Sequence, residues 1–466
     1  MDGDTSVGSD EESTGSTPVS SSDTVSKNRE AASRLIEKEI DGLVGHLDSL
    51  GGTLPFLMAA LDAIRAGERE KRDKYETDNA MAVEETETKR TVTLTVEAFA
   101  PYKRLIKHLQ TASRATVLLP EIFVVALVSQ YDAFLGGLVR ALMKGRPEIV
   151  NASGRKMPFS QLVGFESIEA ARDAIIYEEV EALLRKSHDE QFSWLESTFK
   201  LKLREGLQQW PDFVELTERR NLFVHARGIV SRQYLDVCRR HRVRVGEEMK
   251  LGKKLHVTPE YFANAHGCVL EIGVMLGQVL WRKMLPDSLL DADKHLNRVC
   301  YELLEERRYD LAATLLDFAA CTFKKKFGSE EYRRMMVVNR AQAYKWLKQG
   351  GKCEKIMQSE DWSASQDSFR LADAVLKDDI EATTQMMRRI GATDEVVTKE
   401  SYRDWPLFRE VRKQEEFRKA YREIFGEPLE RVEVKAGGDG DEDWQNGTLA
   451  EEDAPDNGKA SQGPIH

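Results

Sequence analysis

The chain has 466 residues, room for two or three domains at roughly 100–200 residues each. Hydrophobic residues make up 41% of it and charged residues 32%, so most but not all of its length has enough apolar material to bury. The formal net charge of −11 excludes a protein whose whole surface attracts nucleic acid, and any contact with RNA has to be local.

The five cysteines, Cys238, Cys268, Cys300, Cys321 and Cys353, form no C-x-x-C pair. Neither a disulfide framework nor a metal site is expected, and they are read as buried thiols of a reducing compartment. Residues 1–27 are Ser, Thr, Asp, Gly and Glu with almost nothing to bury, and residues 431–466 repeat that acidic character; both are expected to be disordered tails. The chain opens on no basic segment followed by an apolar one. Its longest apolar run, residues 117–128, is broken by Pro120 and Glu121 and falls short of the roughly 20 residues that cross a bilayer. A cytoplasmic protein without a membrane partner is the expectation.

Between the tails strand signals are few and prolines sit mostly at segment edges, so the fold class predicted is all-α. Residues 28–110 form a first helical region, with helices over 31–50 and 55–74 and then a polar Glu/Thr-rich stretch. Residues 91–99 (TVTLTVEAF) are either a short strand or the lead-in to the next helix. Residues 111–288 form the second region, opening with an apolar helix over 120–144 and closing with one near 259–285. Residues 289–391 read as short amphipathic helices. Segment 301–319 breaks at Arg308–Tyr309 before the small Ala312 and Ala313, and segment 339–353 repeats that grammar with Gly350–Gly351 before its second helix. This resembles tetratricopeptide-like hairpins, in which each helix pair buries its apolar face by stacking on the next; an ordinary helical subdomain is the alternative. Residues 392–430 add C-terminal helices, with Phe408, Val411 and Phe417 as a packing face and a stop at Gly426 and Pro428.

The chemistry-bearing segment is WPDFVELTERRNLFVHARGIVS, residues 210–231. Pro211 suits the first turn of a helix and Gly228 its close. With Arg220 set at zero and about 100° per residue, Phe213, Val224, Phe223 and Leu216 flank the arginine within about 60°. Glu218, Asn221 and His225 form a separate polar stripe about 100–160° away. An arginine on an apolar face keeps its charge and therefore needs an anion or a route to water. Either it pairs with a carboxylate of the same chain, or it is held for a phosphate, whose oxygens match its planar fork. Asp132, on the apolar face of the 120–144 helix between Val125, Val128 and Val139, is the expected in-chain partner of Arg220 or Arg219. His225, with a reference pKa of about 6.5, can take or give a proton at neutral pH. Asn221, one turn earlier, is expected to orient its ring through a hydrogen bond.

This spacing resembles the HEPN superfamily, whose hallmark is an arginine, a polar residue that is often asparagine, three further residues and a histidine. Arg220, Asn221 and His225 fit it. The extended form, Glu, three residues, Lys-Arg, four residues, His, is met by Glu215, Arg219, Arg220 and His225, with Arg219 where lysine is usual. The resemblance spans roughly residues 118–285. It implies a helical bundle that pairs with a second copy, placing two Arg/His motifs around one RNA-sized cleft. It also implies endoribonuclease activity that needs no metal or cofactor and leaves a 2′,3′-cyclic phosphate or its opened form. Many such proteins are toxins or antiviral effectors in bacteria; others have lost catalysis and serve as nucleotide-binding or scaffolding domains.

Beyond the motif, segment 239–254 concentrates Arg239, Arg240, Arg242, Arg244, Lys250, Lys253 and Lys254. It is either RNA-binding surface next to the site or a solvated loop, with RVRV pairing to KLHV as a short hairpin. No P-loop, G-x-G-x-x-G, G-x-S-x-G or H-E-x-x-H is present. The expectation is an RNA endonuclease active as a homodimer. Arg220 holds the phosphate, His225 acts as acid or base, Asn221 orients the site, and Glu215, Arg219 and Asp132 support it. The C-terminal helices recruit an antitoxin or sensor partner. Its rival is a non-catalytic HEPN-like and repeat-like interaction protein.

Overall fold

The computed structural model describes residues 21–86, 89–151, 157–324 and 326–429. It is 75% helix and 3% strand, as an all-α reading requires. The chain divides into two compact units after Lys377.

In the first unit, α1 (Ser21–Asn79) leads through the antiparallel hairpin β1 (Ala80–Glu85) and β2 (Arg90–Leu94) into α2 (Val96–Gly145). The short α3 (Pro147–Asn151) and α4 (Phe159–Leu162) precede α5 (Ile168–Leu184), α6 (His188–Phe199), α7 (Trp210–Ala226), α8 (Arg232–Arg240) and the long α9 (Pro259–Met284). Then come α10 (Leu289–Glu305), α11 (Tyr309–Thr322), α12 (Glu330–Trp346), α13 (Gly350–Gln358) and α14 (Asp367–Leu376).

The first helix differs from expectation. Instead of two helices separated near Gly51 and Gly52, α1 runs unbroken through both glycines and Pro55. The reason is tertiary. Ala32, Ile36, Ile40, Leu43, Leu47 and Leu54, spaced three, four or seven apart and so on one helix face, are all buried, and one packed stripe outweighs the local cost of two glycines and a proline. Helix α1 also starts at Ser21, so part of the expected N-terminal tail is helical; residues 1–20 and the tail 431–466 lie outside the described residues. The stretch 91–99 resolves into both of its readings. Residues 90–94 pair with β1 in the register Val83 to Val92 and Glu85 to Arg90, and Thr95 then caps α2 by accepting from the Ala98 amide. Because α2 continues from Val96 to Gly145, position 110/111 is no division between folded bodies.

The core is organised around α9, which is buried nearly all round. Helices α1, α2, α7, α10 and α11 pack against it. Gly273 permits the approach of α1, since a Cβ there would overlap the Leu43 side chain. Polar ties reinforce the seam: Trp281 Nε1 donates to Ser33 Oγ at 3.0 Å and His266 Nε2 meets the Leu47 carbonyl at 2.8 Å. Helix α1 reaches further, pairing Asp41 with His295 and Arg298 of α10, and Asp48 with Arg308 at the turn before α11. Helices α10 and α11 are joined at Arg307, and α12 and α13 at Lys348, each turn residue with φ near +60°. Ala312 and Ala313 are buried. Four cysteines are buried, but Cys321 is exposed.

In the second unit, α15 (Ile380–Ile390), α16 (Lys399–Asp404) and α17 (Glu415–Phe425) enclose Tyr402, Phe408, Phe417 and Tyr421. The anticipated packing face of Phe408, Val411 and Phe417 is buried, and Gly426 closes α17 in the left-handed conformation. Helix α15 belongs to this unit, so the division falls at 377/378 and not at 391/392. The reading of residues 117–128 as the longest apolar stretch was too narrow. Segments Ser26–Asn79, Val96–Gly145 and Pro259–Met284 are each long and apolar enough to cross a membrane. The apolar window of α9 is mostly buried inside the protein, whereas that of α1 is mostly exposed.

Candidate functional site around Arg220 and His225

Helix α7 begins with Pro211 in its first turn and ends where Arg227 and Gly228 both take positive φ, the Gly228 amide returning to the Leu222 carbonyl at 2.9 Å. Its burial corrects the sequence reading. The arginine sealed in the bundle is Arg219, whose side chain is 4% exposed; that of Arg220 is 21% exposed. Leu216 and Phe213 are buried as expected, but Val224 is 51% exposed, so the last turn of the helix faces water. A single apolar face was the wrong picture because α2, α8 and α9 all pack on α7.

Arg219 and Glu215 form a closed internal unit. Glu215 accepts from Arg219 Nε at 2.6 Å, from Tyr234 Oη at 2.6 Å and from Tyr261 Oη at 2.8 Å. The Arg219 guanidinium also lies 3.9 Å from the Tyr261 ring centroid and donates to the His256 carbonyl. A buried charge pair needs such saturation to be tolerated. These two residues of the extended motif thus brace α7 against α8 and α9 and do not reach the open surface.

Arg220 is held differently. Its Nη2 donates to Asp132 Oδ2 at 2.9 Å, which is the ion pair anticipated from the two helices. The other carboxylate oxygen, Oδ1, meets His188 Nε2 at 2.9 Å. Asp132 therefore bridges α2 to both α6 and α7. Arg220 Nε is buried and has no hydrogen-bond partner among the described residues, while the side chain as a whole stays 21% exposed.

Arg220, Asn221 and His225 line one cavity of about 550 Å³ together with Glu218, His188 and Lys186. His225 is exposed and makes no hydrogen bond or ion pair among the described residues. Asn221 does not orient it: its amide points to Glu218, at 3.4 Å. Burial pushes the Glu218 carboxyl up from the usual range, against the pull of His188, Asn221, Arg220 and Arg240. The opposite wall is the N-terminus of α6, where Ser187 and Glu190 form a capping box. Exposed Arg185 and Lys186 lie beside it, so a helix N-terminus and cations converge on the space in front of Arg220.

His188 and Glu218 were not identified as site residues from sequence. Glu218 was visible on the polar stripe with Asn221 and His225. For His188 no signal exists, since only the docking of α6 on α2 brings it to Asp132.

The basic segment is divided by the structure. Arg239, Arg240, Arg242 and Arg244 are all exposed, but Arg239 pairs with Asp236 at 2.9 Å. Arg240 is near enough to act on Glu218, while Arg244 acts on Asp212 at the far end of α7. The expected hairpin of RVRV with KLHV is absent. Lys254 instead bridges to Ile229, with the Val230 amide bonded to the Lys253 carbonyl and the Leu255 amide to the Gly228 carbonyl, both at 2.9 Å. Leu255 and Val230 join Leu222, Tyr234, Cys238 and Met249 in one core, and Val243 of RVRV packs against its edge without pairing to KLHV.

Compared with known proteins, the chain matches no family model, no curated protein and no solved structure.

Proposed function

We propose that the chain is a HEPN-type endoribonuclease that cleaves RNA by internal transesterification, with Arg220 and His225 at its active site. The observation that carries this reading is the pairing of an anchored guanidinium with a free imidazole in one cavity. Asp132 fixes Arg220 while leaving Nε unsatisfied, and an exposed, unbonded His225 lines the same space.

The chemistry needs no added nucleophile. A base removes the proton of the ribose 2′-hydroxyl, the 2′-oxygen attacks the adjacent phosphorus, and the bond from phosphorus to the 5′-oxygen breaks as an acid protonates that oxygen. The products are a 2′,3′-cyclic phosphate and a 5′-hydroxyl. Arg220 holds a non-bridging phosphate oxygen and stabilises the charge that develops there. His225 supplies the base or the acid. A second copy of the chain brings the complementary group, so the active form is a homodimer. The hairpins α10–α13, in which Ala312 and Ala313 are buried, serve as a tetratricopeptide-like surface for an antitoxin or sensor. A toxin or defence effector working in the cytoplasm fits this arrangement.

The test is incubation of purified protein with total RNA in EDTA, comparing wild type with His225→Ala and mapping the ends. Cleavage with cyclic phosphate ends, lost in the variant while its circular dichroism is unchanged, is the expected result. Equal cleavage by the variant would overturn the assignment and favour a binding scaffold.

A further inference from the structure

We propose that one exposed stripe of α2 is a track for single-stranded RNA that leads along a single helix to Arg220; this rests on the ribonuclease reading. Lys103, Lys107, Gln110, Arg114, Leu118, Ile122 and Ser129 are all exposed. Adding the half-buried Val125 between the last two, successive members are three or four residues apart, which places them on one helix face. The next position on that face is Asp132, the residue that anchors Arg220. Helix α2 is continuous throughout, and at about 1.5 Å per residue the stripe is roughly 44 Å long.

Charge separates this face from its surroundings. Between Val96 and Pro120, α2 carries Lys103, Arg104, Lys107 and Arg114 against the single acid Glu97. None of these four cations makes an ion pair among the described residues. On the neighbouring stretch of α1, Arg65 pairs with Asp62, Lys71 with Glu68, and Arg72 with Asp73 and Glu76. Residues 60–79 of α1 carry six acids against five cations, whereas residues 96–120 of α2 carry one acid against four, in a protein of net charge −11. A local cationic strip of this kind is what a phosphate backbone requires.

The strip and the site are joined. A cavity of about 620 Å³ lies on it, lined by Gln110, Arg114, Val117, Leu118 and Lys254 among others. Lys254 reaches Glu121 of α2 at 3.4 Å and bridges to Ile229, just beyond the end of α7. Cations at the rim meet phosphates, and the exposed aliphatic side chains Val117 and Leu118 offer a floor for bases. A helix built to lie in a bilayer puts its cations at the edges of an apolar face; here Lys103, Lys107 and Arg114 lie on the stripe itself, in its first half.

The experiment is fluorescence anisotropy over a range of salt, using His225→Ala protein to prevent turnover, with a labelled strand of about 20 nucleotides and one of about four. A parallel protein carries Lys103→Ala, Lys107→Ala and Arg114→Ala in addition. Losing three phosphate contacts should weaken the long strand about 10–100-fold and reduce the slope of log K against log salt by roughly 2, while the short strand binds as before. Unchanged long-strand affinity and slope would overturn the track, as would equal losses for both strands. Loss of binding to phosphatidylserine vesicles with RNA binding intact would assign the stripe to a membrane and also overturn it. Because the readout is binding, absence of cleavage by the wild-type protein sinks the ribonuclease reading alone, and cleavage without a length effect sinks the track alone.

Discussion

Removing Glu215 should be among the most damaging single changes in the protein, and for a reason unrelated to catalysis. Its carboxylate satisfies Arg219, Tyr234 and Tyr261, and Arg219 is 4% exposed. In Glu215→Ala the guanidinium stays charged with no counter-ion, a loss of about 3–5 kcal/mol for a broken buried pair. Each tyrosine hydroxyl left without an acceptor adds about 1–3 kcal/mol. Tyr261 is half-buried and regains water in part, so about 5 kcal/mol is a working figure, comparable with the whole stability of many domains at about 5–15 kcal/mol. Urea unfolding followed by circular dichroism measures it. Glu215→Leu combined with Arg219→Met removes both charges and should recover much of the loss, and the doubly substituted protein should keep Arg220 and His225 in place and retain RNA cleavage. A loss below about 1 kcal/mol in the single variant, or a double variant less stable than the single, would refute the picture of a closed internal unit.

Asp132 orients Arg220 without touching RNA, so Asp132→Ala should lower cleavage about 10–100-fold, chiefly in kcat, with Asp132→Asn losing less; unchanged kcat would show that Arg220 needs no anchor. Gly228 has φ of +76°, and a Cβ there would lie 3.2 Å from the Phe223 ring, so Gly228→Ala should cost about 1–3 kcal/mol in urea unfolding, and a loss within experimental error would contradict it. Burial pushes the Glu271 carboxyl up to about 7. The folded protein therefore holds a proton that the unfolded chain releases near its ordinary value of 4.5; the stability this group confers is complete below that value and is lost as pH rises to about 7. The difference of 7 − 4.5 corresponds to about 3 kcal/mol, so Glu271→Gln should gain on wild type between pH 5 and 8, and parallel stability curves would disprove it.

How far the sequence revealed the molecule depended on whether local pattern or tertiary docking decided each feature. The limits of α7 followed from Pro211 and Gly228, and the meeting of Asp132 with Arg220 followed from two charges on two apolar helices. The choice between the adjacent Arg219 and Arg220 did not. Helical geometry ranks faces only if one side is buried, and α7 is packed on several. The unbroken course of α1 past Pro55 was hidden because its buried stripe gains its cover from α2 and from α9, the latter more than 200 positions later. His188 lay beyond reach for the same reason, being 56 residues from the Asp132 it bonds. The partner of KLHV was missed because short β-like runs carry no information about which neighbour they choose.

Those distant partners of α1 have a consequence for biosynthesis. The chain makes its first long helix early, yet Ser33 waits for Trp281, Asp41 for Arg298 and Asp48 for Arg308, intervals of 248, 257 and 260 residues. At about 5–20 residues per second a ribosome needs roughly 12–50 s to supply them. Throughout that interval Ile36, Ile40 and Leu47 lack their final cover, so the nascent polypeptide depends on α2 or on a chaperone to shield them, and expression at lower temperature with added chaperone should raise the soluble yield.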